Sequence, residues 1–280
     1  MIPQQFEYSA PKSLAEALAL IADGGKPLSG GMSLIPMMKL RLAAPDRVVD
    51  LARIAELSYI REQAGSIHIG ATTTHHEVES SAVIRAKCPL LAETASFIGD
   101  VQVRNLGTIG GSVAHADPSA DYPAALQALE AKIVIKGAAS ERTVSADDFF
   151  VDTFTTALEP GEIVTEVIVP VEAASTGTSY QKLLQPASGF AIVGVAARIQ
   201  KSGGKITLAR VGVTGLSNRA FRAAATEQAL TSGTAVQAAA DVVAQAIDAN
   251  SDLYASAEFR AHLAAVYAAR AIDAAIRRTS

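Results

Sequence analysis

The sequence predicts an α+β protein divided into two domains. Three observations lead there. With 280 residues and 49% hydrophobic content, the chain can bury a large core, and its length suits two domains. Its first part alternates short extended pieces with helical runs. Its last ~100 residues pair a strong β-hairpin with three alanine-rich helical runs.

Taken in order, Ser13 and Glu16 have capping-box spacing and Leu14, Leu18 and Ile21 recur on one face. They predict a helix that Gly24-Gly25 stops. A short extended piece at Lys26–Leu28 leads into Ser29-Gly30-Gly31-Met32-Ser33. Ser33 then caps a second helical run through Met37, Met38 and Leu40, with Pro36 tolerated near its start. Val48–Leu51 reads as a buried strand and completes a small β/α unit. Tyr59–Arg61 and Ile67–Ile69, flanking Ala64-Gly65-Ser66, predict a hairpin. Thr74–Glu79 opens a short helix, and Val83–Ile98 is a longer helical stretch interrupted near Pro89. Val101–Leu106 leads into Thr108-Ile109-Gly110-Gly111-Ser112, and Tyr122–Leu129 reads as a helix. Strands follow at Lys132–Ile135, Arg142–Ser145 and Glu162–Val169, the last closed by Pro170. The Ala-, Ser-, Thr- and Gly-rich segment Val171–Ser179 is the predicted domain boundary. Beyond it, Phe190–Ile199 and Ile206–Val213 are strands joined by Ser202-Gly203-Gly204, and helical runs lie near 220–230, 235–248 and 257–278.

Composition removes several function classes. A net charge of −4 with no dense Lys/Arg block recommends neither nucleic acid nor an anionic membrane as partner. No apolar run approaches the ~20 residues of a membrane span, and no basic-then-apolar signal segment precedes Phe6, so the expected location is cytoplasmic. The single cysteine, Cys88, excludes an intrachain disulfide and an iron–sulfur cluster held by this chain's own thiolates. Beside Pro89 it reads as a small buried hydrophobe. His75-His76 diverge on any regular backbone and read as helix-start or surface histidines, not metal ligands. Asp147-Asp148 read as cap and turn residues before Phe149-Phe150. G-x-G-x-x-G, the phosphate-loop motif and G-x-S-x-G are all absent.

The two glycine-rich stretches point to a ligand. Each has adjacent glycines beside small hydroxyl residues and follows an apolar or β-branched run. Glycine reaches φ > 0 and lets backbone approach a ligand, and successive amides form a concave nest for anions. Two such turns fit a ligand with more than one phosphate, a dinucleotide pyrophosphate being the obvious candidate. Directly after the second come Ala116-Asp117-Pro118-Ser119-Ala120-Asp121. Carboxylates there would repel phosphate, so Asp117 and Asp121 suit ribityl or ribose hydroxyls. Asp121 also has the position of a cap for the helix at Tyr122, and both roles are compatible.

The run Pro27-Leu28-Ser29-Gly30-Gly31-Met32-Ser33-Leu34-Ile35-Pro36, continuing Met38-Lys39-Leu40-Arg41-Leu42, resembles the FAD-binding medium subunit of molybdenum hydroxylases. It is similar to the flavoprotein chain of carbon monoxide dehydrogenase-type enzymes and to the FAD domain of xanthine dehydrogenase. The likeness continues through Val49-Asp50-Leu51, Ile69-Gly70-Ala71, Gln102–Gly111, Ala116–Asp121 and Ser188-Gly189-Phe190-Ala191-Ile192-Val193, in order along nearly the whole chain. It departs at Met32, where the family often carries His or Gln, and at Ser112, where it often carries Asn. The part of Met32 would then fall to its backbone N–H, while Ser112 keeps a donor with shorter reach.

The resemblance implies a vanillyl-alcohol-oxidase (PCMH)-type FAD-binding fold over residues 1–172, in two α/β subdomains of about 1–55 and 56–172. A C-terminal domain of antiparallel sheet and helices follows over 173–280. FAD would be held non-covalently, its pyrophosphate by Ser29, Gly30, Gly31, Met32 and Ser33, flanked by Pro27, Leu28 and Leu34, and by Thr108, Ile109, Gly110, Gly111 and Ser112. Asp121, with Asp117 nearby, would face the ribityl chain, and Ile98 and Val164 would make apolar contacts. Lys182 would approach the flavin, favouring its anionic reduced form, unless it is a strand-edge lysine that reaches water. Tyr180 is a candidate cover for the isoalloxazine. No acid, base or nucleophile of this chain is then needed for hydroxylation. A large molybdopterin subunit would oxidise the organic substrate, and a small subunit with two [2Fe–2S] clusters would pass electrons to this chain's FAD and on to an external acceptor. A dimer of heterotrimers is the implied assembly. The start of the chain directly on the FAD domain, with no cysteine-rich module, fits a separate subunit. Two other readings stay open: a stand-alone FAD-dependent oxidase or dehydrogenase, and a flavin-free scaffold that keeps the fold.

Overall fold

In a computed structural model, residues 1–279 are described. The first unit is a three-stranded parallel sheet of order β1-β3-β2. Its strands are β1 (Glu7–Ser9), β2 (Lys26–Leu28) and β3 (Arg47–Asp50), linked by α1 (Leu14–Ala22) and α2 (Leu34–Lys39). Ala17, Leu18 and Ile21 of α1 are buried against Val49, Leu51 and Ile54, as the helical spacing predicts. Ser13 caps α1 by accepting from the Glu16 amide, but Glu16 Oε2 returns to the Lys12 amide, so the capping box is only half formed. Ser33 occupies the cap position of α2 in helical conformation and makes no side-chain cap bond.

The second unit is an antiparallel five-stranded sheet of order β4-β5-β10-β6-β7. It comprises β4 (Ile60–Gln63), β5 (Ser66–Gly70), β6 (Lys132–Lys136), β7 (Glu141–Ser145) and, after the two-stranded β8 (Phe150–Asp152) and β9 (Thr155–Thr156), β10 (Ile163–Pro170). Between β5 and β6 run α3 (His75–Ser80), α4 (Ala82–Lys87), α5 (Pro89–Ser96), α6 (Val101–Leu106), α7 (Ile109–His115) and α8 (Asp121–Ala128), and α9 (Ala146–Phe149) follows β7. Thr74 and Glu77 form a complete capping box on α3. Cys88 is buried between α4 and α5, as expected, and burial pushes its thiol pKa far up. His75 starts α3 as expected but is buried; His76 alone is at the surface.

The last unit is an antiparallel sheet of order β11-β12-β13-β14. Its strands are β11 (Thr176–Leu184), β12 (Ala191–Ser202), β13 (Lys205–Thr214) and β14 (Phe221–Arg222), followed by α10 (Ala224–Thr231), α11 (Val236–Ala240) and α12 (Ala257–Arg277). Within the predicted boundary Val171–Ser179, β11 already begins at Thr176. Thr178 and Ser179 are buried in the β11–β12 ladder, and a Cβ on Gly177 would lie 1.9 Å from Ala275 O of α12. The small residues at its end mark a close approach of backbone. The predicted helix over 235–248 is regular only in α11, with Ala246 turned to φ 61.

Both faces of β12 are covered, and period-2 alternation sorts them. Val193, Val195, Ala197 and Ile199 join the core formed with α10, α11 and α12. Ala196 and Tyr180 join the core of the five-stranded sheet instead. On that second face Gly212 meets α8, where an added Cβ would lie 2.0 Å from Ala124 O. Every residue of α8 is buried. The sheet β11–β14 therefore serves both cores, with α8 packed on the face turned to the five-stranded sheet.

Candidate functional site

The two glycine stretches meet. Ser29 Oγ and Thr108 Oγ1 are 2.8 Å apart, although 79 residues separate them in sequence. Gly30 lies so close to the end of α6 that a Cβ would fall 1.9 Å from Leu106 O and 2.7 Å from the Gly107 Cα. Here glycine is required by contact. Of the four glycines concerned, only Gly31, at φ 73, needs the left-handed region.

The first stretch offers donors. The backbone amides of Gly30, Gly31, Met32 and Ser33 make no hydrogen bond among the described residues, although Gly31 is buried. An unpaired buried amide such as that of Gly31 is costly, and a run of four directly before α2 offers donors that an acceptor-rich group could use. The side chain of Met32 is exposed, leaving its amide as the only donor it can supply.

The second stretch differs from its sequence reading. It is not a left-handed turn but the first turn of α7, with Thr108 as N-cap accepting from the Gly111 amide at 3.2 Å. The Ile109 amide donates to Thr73 O and the Gly110 amide to Ala71 O, so both are used within the protein. A Cβ on Gly110 would meet the Ala71 Cβ at 2.4 Å, which makes Gly110 a packing glycine. Gly111 is the one beside the first stretch: its Cβ would lie 2.8 Å from Thr108 Oγ1 and 3.8 Å from the Ser29 Cβ. Ser112 is partly exposed one residue on.

Asp121 is the first residue of α8, after an Ala120 cap that makes no side-chain bond, so its carboxylate does not cap the helix. It accepts from Tyr180 Oη at 2.5 Å and from Lys182 Nζ at 2.9 and 3.0 Å. Burial pushes its pKa up, opposed by Lys182. A carboxylate has about four acceptor sites, so Oδ2 keeps room for one further donor. Asp117 Oδ1 accepts from the Ser119 amide at 2.8 Å and shapes the connecting loop.

Two expectations for the far side of the site are corrected. The Lys182 side chain is 0% exposed and also donates to Phe97 O at 2.8 Å and Gly189 O at 2.7 Å, so it is no strand-edge lysine reaching water. Its three protons are committed within the protein. Tyr180 is 0% exposed, enclosed by Asp121, Gly194 and the edge of Phe97, and has no free face to lay on a ring system. Phe97 and Ile98, partly exposed at the end of α5, are the apolar groups that border this region. Val164 is buried in the five-stranded core. The residues that the sequence reading missed are the supports: Ala71 and Thr73, whose carbonyls hold α7, and Phe97. Only the Ile69-Gly70-Ala71 run hinted at them.

Comparisons with known proteins agree with this fold. Residues 4–172 match the family described as "FAD binding domain in molybdopterin dehydrogenase", and residues 178–275 match "CO dehydrogenase flavoprotein C-terminal domain". The chain belongs to the FAD-binding medium subunits of the carbon monoxide dehydrogenase and xanthine dehydrogenase family. This medium subunit is 42% identical over 285 residues to the carbon monoxide dehydrogenase medium chain of Hydrogenophaga pseudoflava, covering 99% of each chain. It is 40% identical over 230 residues to the glyceraldehyde dehydrogenase medium chain of Sulfolobus acidocaldarius, covering 81% of this chain and 82% of that one. Its fold superposes with TM-score 0.96, at 45% identity and 100% of both chains, on "carbon monoxide dehydrogenase from Hydrogenophaga pseudoflava which lacks the Mo-pyranopterin moiety of the molybdenum cofactor". Against quinoline 2-oxidoreductase from Pseudomonas putida 86 the TM-score is 0.94 at 31% identity, with 99% of each chain covered. The medium subunit is thus an oxidoreductase component of a multi-subunit molybdenum hydroxylase. Among the described residues no helix is long and apolar enough to cross a membrane, and no metal-binding cluster occurs.

Proposed function

We propose that residues 1–172 hold FAD and that residues 173–280 brace it, with this chain as the electron outlet of a cytoplasmic complex. The observation that carries the reading is the junction of the two glycine stretches, where four amides without a partner among the described residues lie next in sequence to the paired Ser29–Thr108 hydroxyls. A diphosphate bridge has the acceptor oxygens and negative charge that this junction lacks. When bound, FAD supplies the step between one-electron entry from [2Fe–2S] clusters of a small partner and delivery to an external acceptor, while a large molybdopterin partner oxidises the organic substrate.

The residues of this chain then bind and orient. Gly30, Gly31, Met32 and Ser33 donate backbone N–H groups to the phosphates, flanked by Pro27, Leu28 and Leu34. Thr108, Gly111 and Ser112 close the opposite wall, with Ile109 and Gly110 anchoring it to Ala71 and Thr73. Asp121 accepts from a ribityl hydroxyl at its remaining Oδ2 site, and Asp117 sets the loop that presents it. Ile98 borders the ring system, and Val164 supplies apolar packing from the core of the five-stranded sheet. Lys182 fixes Asp121, and because that carboxylate balances its charge, its pull on the flavin potential is weaker than a lone lysine's. The partners assemble as a dimer of heterotrimers.

The test is to purify the chain with its partners, identify the released flavin, and assay molybdenum and iron. FAD at one per chain is the expected result. A colourless chain that takes up no FAD when reconstituted would overturn the reading in favour of a scaffold. Turnover of an organic substrate by the isolated flavin-loaded chain would favour a stand-alone oxidase.

A further inference from the structure

We infer that Thr214, on the C-terminal sheet, is a positioning residue for the flavin site. The inference rests on the proposed FAD reading. Thr214 ends β13 and is 0% exposed. Its Oγ1 lies 2.8 Å from Pro118 O and 2.7 Å from Ala120 O, so one hydroxyl proton is shared between two carbonyls of the loop joining α7 to α8. The next amide, Gly215, donates to Pro118 O at 2.8 Å, and the Ala191 amide donates to Ser119 O at 3.2 Å. Three consecutive carbonyls of the loop are therefore turned toward the C-terminal domain. Within the loop itself the tie is Asp117, which accepts from the Ser119 amide at its side chain and from the Ala120 amide at its carbonyl.

The anchoring strand ends are themselves fixed. Buried Arg260 of α12 donates from one nitrogen to Ile192 O at 2.5 Å and Gly215 O at 2.7 Å, and pairs with Asp252 at 2.5 Å. The chain of contact runs from α12 through Thr214 to the Ala120 carbonyl, and Asp121 is the next residue. Without the hydroxyl, buried Ala120 O loses the bond that ties it to β13, and the peptide that aims Asp121 is less firmly held. Thr214 touches no cofactor. It acts through the loop.

The experiment compares the full chain with Thr214→Val, Thr214→Ser and, as a core control of the same domain, Ile199→Val. Flavin is stripped, FAD is titrated back by fluorescence quenching, and thermal midpoint and visible circular dichroism of the bound flavin are recorded. Thr214→Val is expected to weaken FAD about tenfold and to change the visible dichroism, while Thr214→Ser stays within about twofold of wild type. Thr214→Ala carries the same expectation as the valine variant should that one not fold. Unchanged FAD affinity and dichroism in the hydroxyl-free variants, with wild type binding normally, would overturn the positioning role. So would an equal loss in Ile199→Val, since that would make the effect one of stability alone. Wild type that binds no FAD would sink the underlying reading and this inference with it.

Discussion

Gly110 and Gly111 are neighbours in one helical turn, yet they answer to different constraints. A methyl on Gly110 would strike Ala71 at 2.4 Å, so Gly110→Ala should cost about 1–3 kcal/mol of stability, seen as a lower midpoint in denaturant. A methyl on Gly111 would press only on the Thr108 hydroxyl at 2.8 Å, a group that can rotate. Glycine to alanine in a helix gains about 0.5–1 kcal/mol, and loss of a cap costs about 1 kcal/mol. Gly111→Ala should therefore leave stability nearly unchanged while weakening FAD about tenfold or more, measured by titrating the stripped protein. Unchanged affinity in that variant would remove Gly111 from the cradle. His75 carries a separate expectation. Burial first, and Arg104 second, lower its pKa from 6.5 to about 4. The unfolded chain then binds more protons than the folded one between those values, so stability rises with pH across that window and is lost as pH falls from 6.5 toward 4. The difference is worth about 3 kcal/mol, and His75→Gln should flatten the slope in equilibrium unfolding at several pH values.

At the scale of elements, α8 is held where β13 is thinnest. The 2.0 Å approach of a Gly212 Cβ to Ala124 O involves backbone on both sides, so no side chain can yield. Gly212→Ala should abolish soluble expression or lower the thermal midpoint by many degrees, whereas Gly203→Ala, in the open β12–β13 turn, should shift it far less. Much of this architecture was legible from residue spacing. Ser13 and Thr74 marked helix starts, and Pro89 the break between α4 and α5, because caps and imino acids act locally. Thr108 through Ser112 was legible as a special stretch but not as the first turn of α7, because adjacent glycines carry no helical signal of their own. The start of strand β11 escaped because Thr176, Gly177, Thr178 and Ser179 show no hydrophobic alternation and interleave glycine and serine, which weaken a strand signal. Only pairing with β12 and contact with α12 make them a strand. The burial of Lys182 and Tyr180 was illegible for the same reason: their partner, Asp121, is 61 residues from one and 59 from the other.

For the whole molecule, the two large cores meet across β12 and are tied by ion pairs from the C-terminal sheet to Glu130 and Glu172. Arg198 of β12 reaches Glu172 at 2.8 Å and Glu130 at 3.1 Å, and Arg210 of β13 reaches the same Glu130 at 2.8 Å. Partly buried networks of this kind disfavour separation of their members. Heat or denaturant should therefore unfold the chain in a single transition, with far-ultraviolet dichroism and the fluorescence of its tyrosines changing together. Two resolved steps would mean that the sheets are independent.

The enclosure of α8 also bears on how the protein is made. Its inner surface is ready when residue 128 leaves the ribosome, but the strand that roofs it, β13, is not translated until residues 205–214. For the intervening stretch of synthesis an apolar helix waits uncovered, a state that feeds aggregation. Slowing translation after β10 should lengthen that interval and lower the yield of native chain, an effect that a roof encoded earlier would abolish.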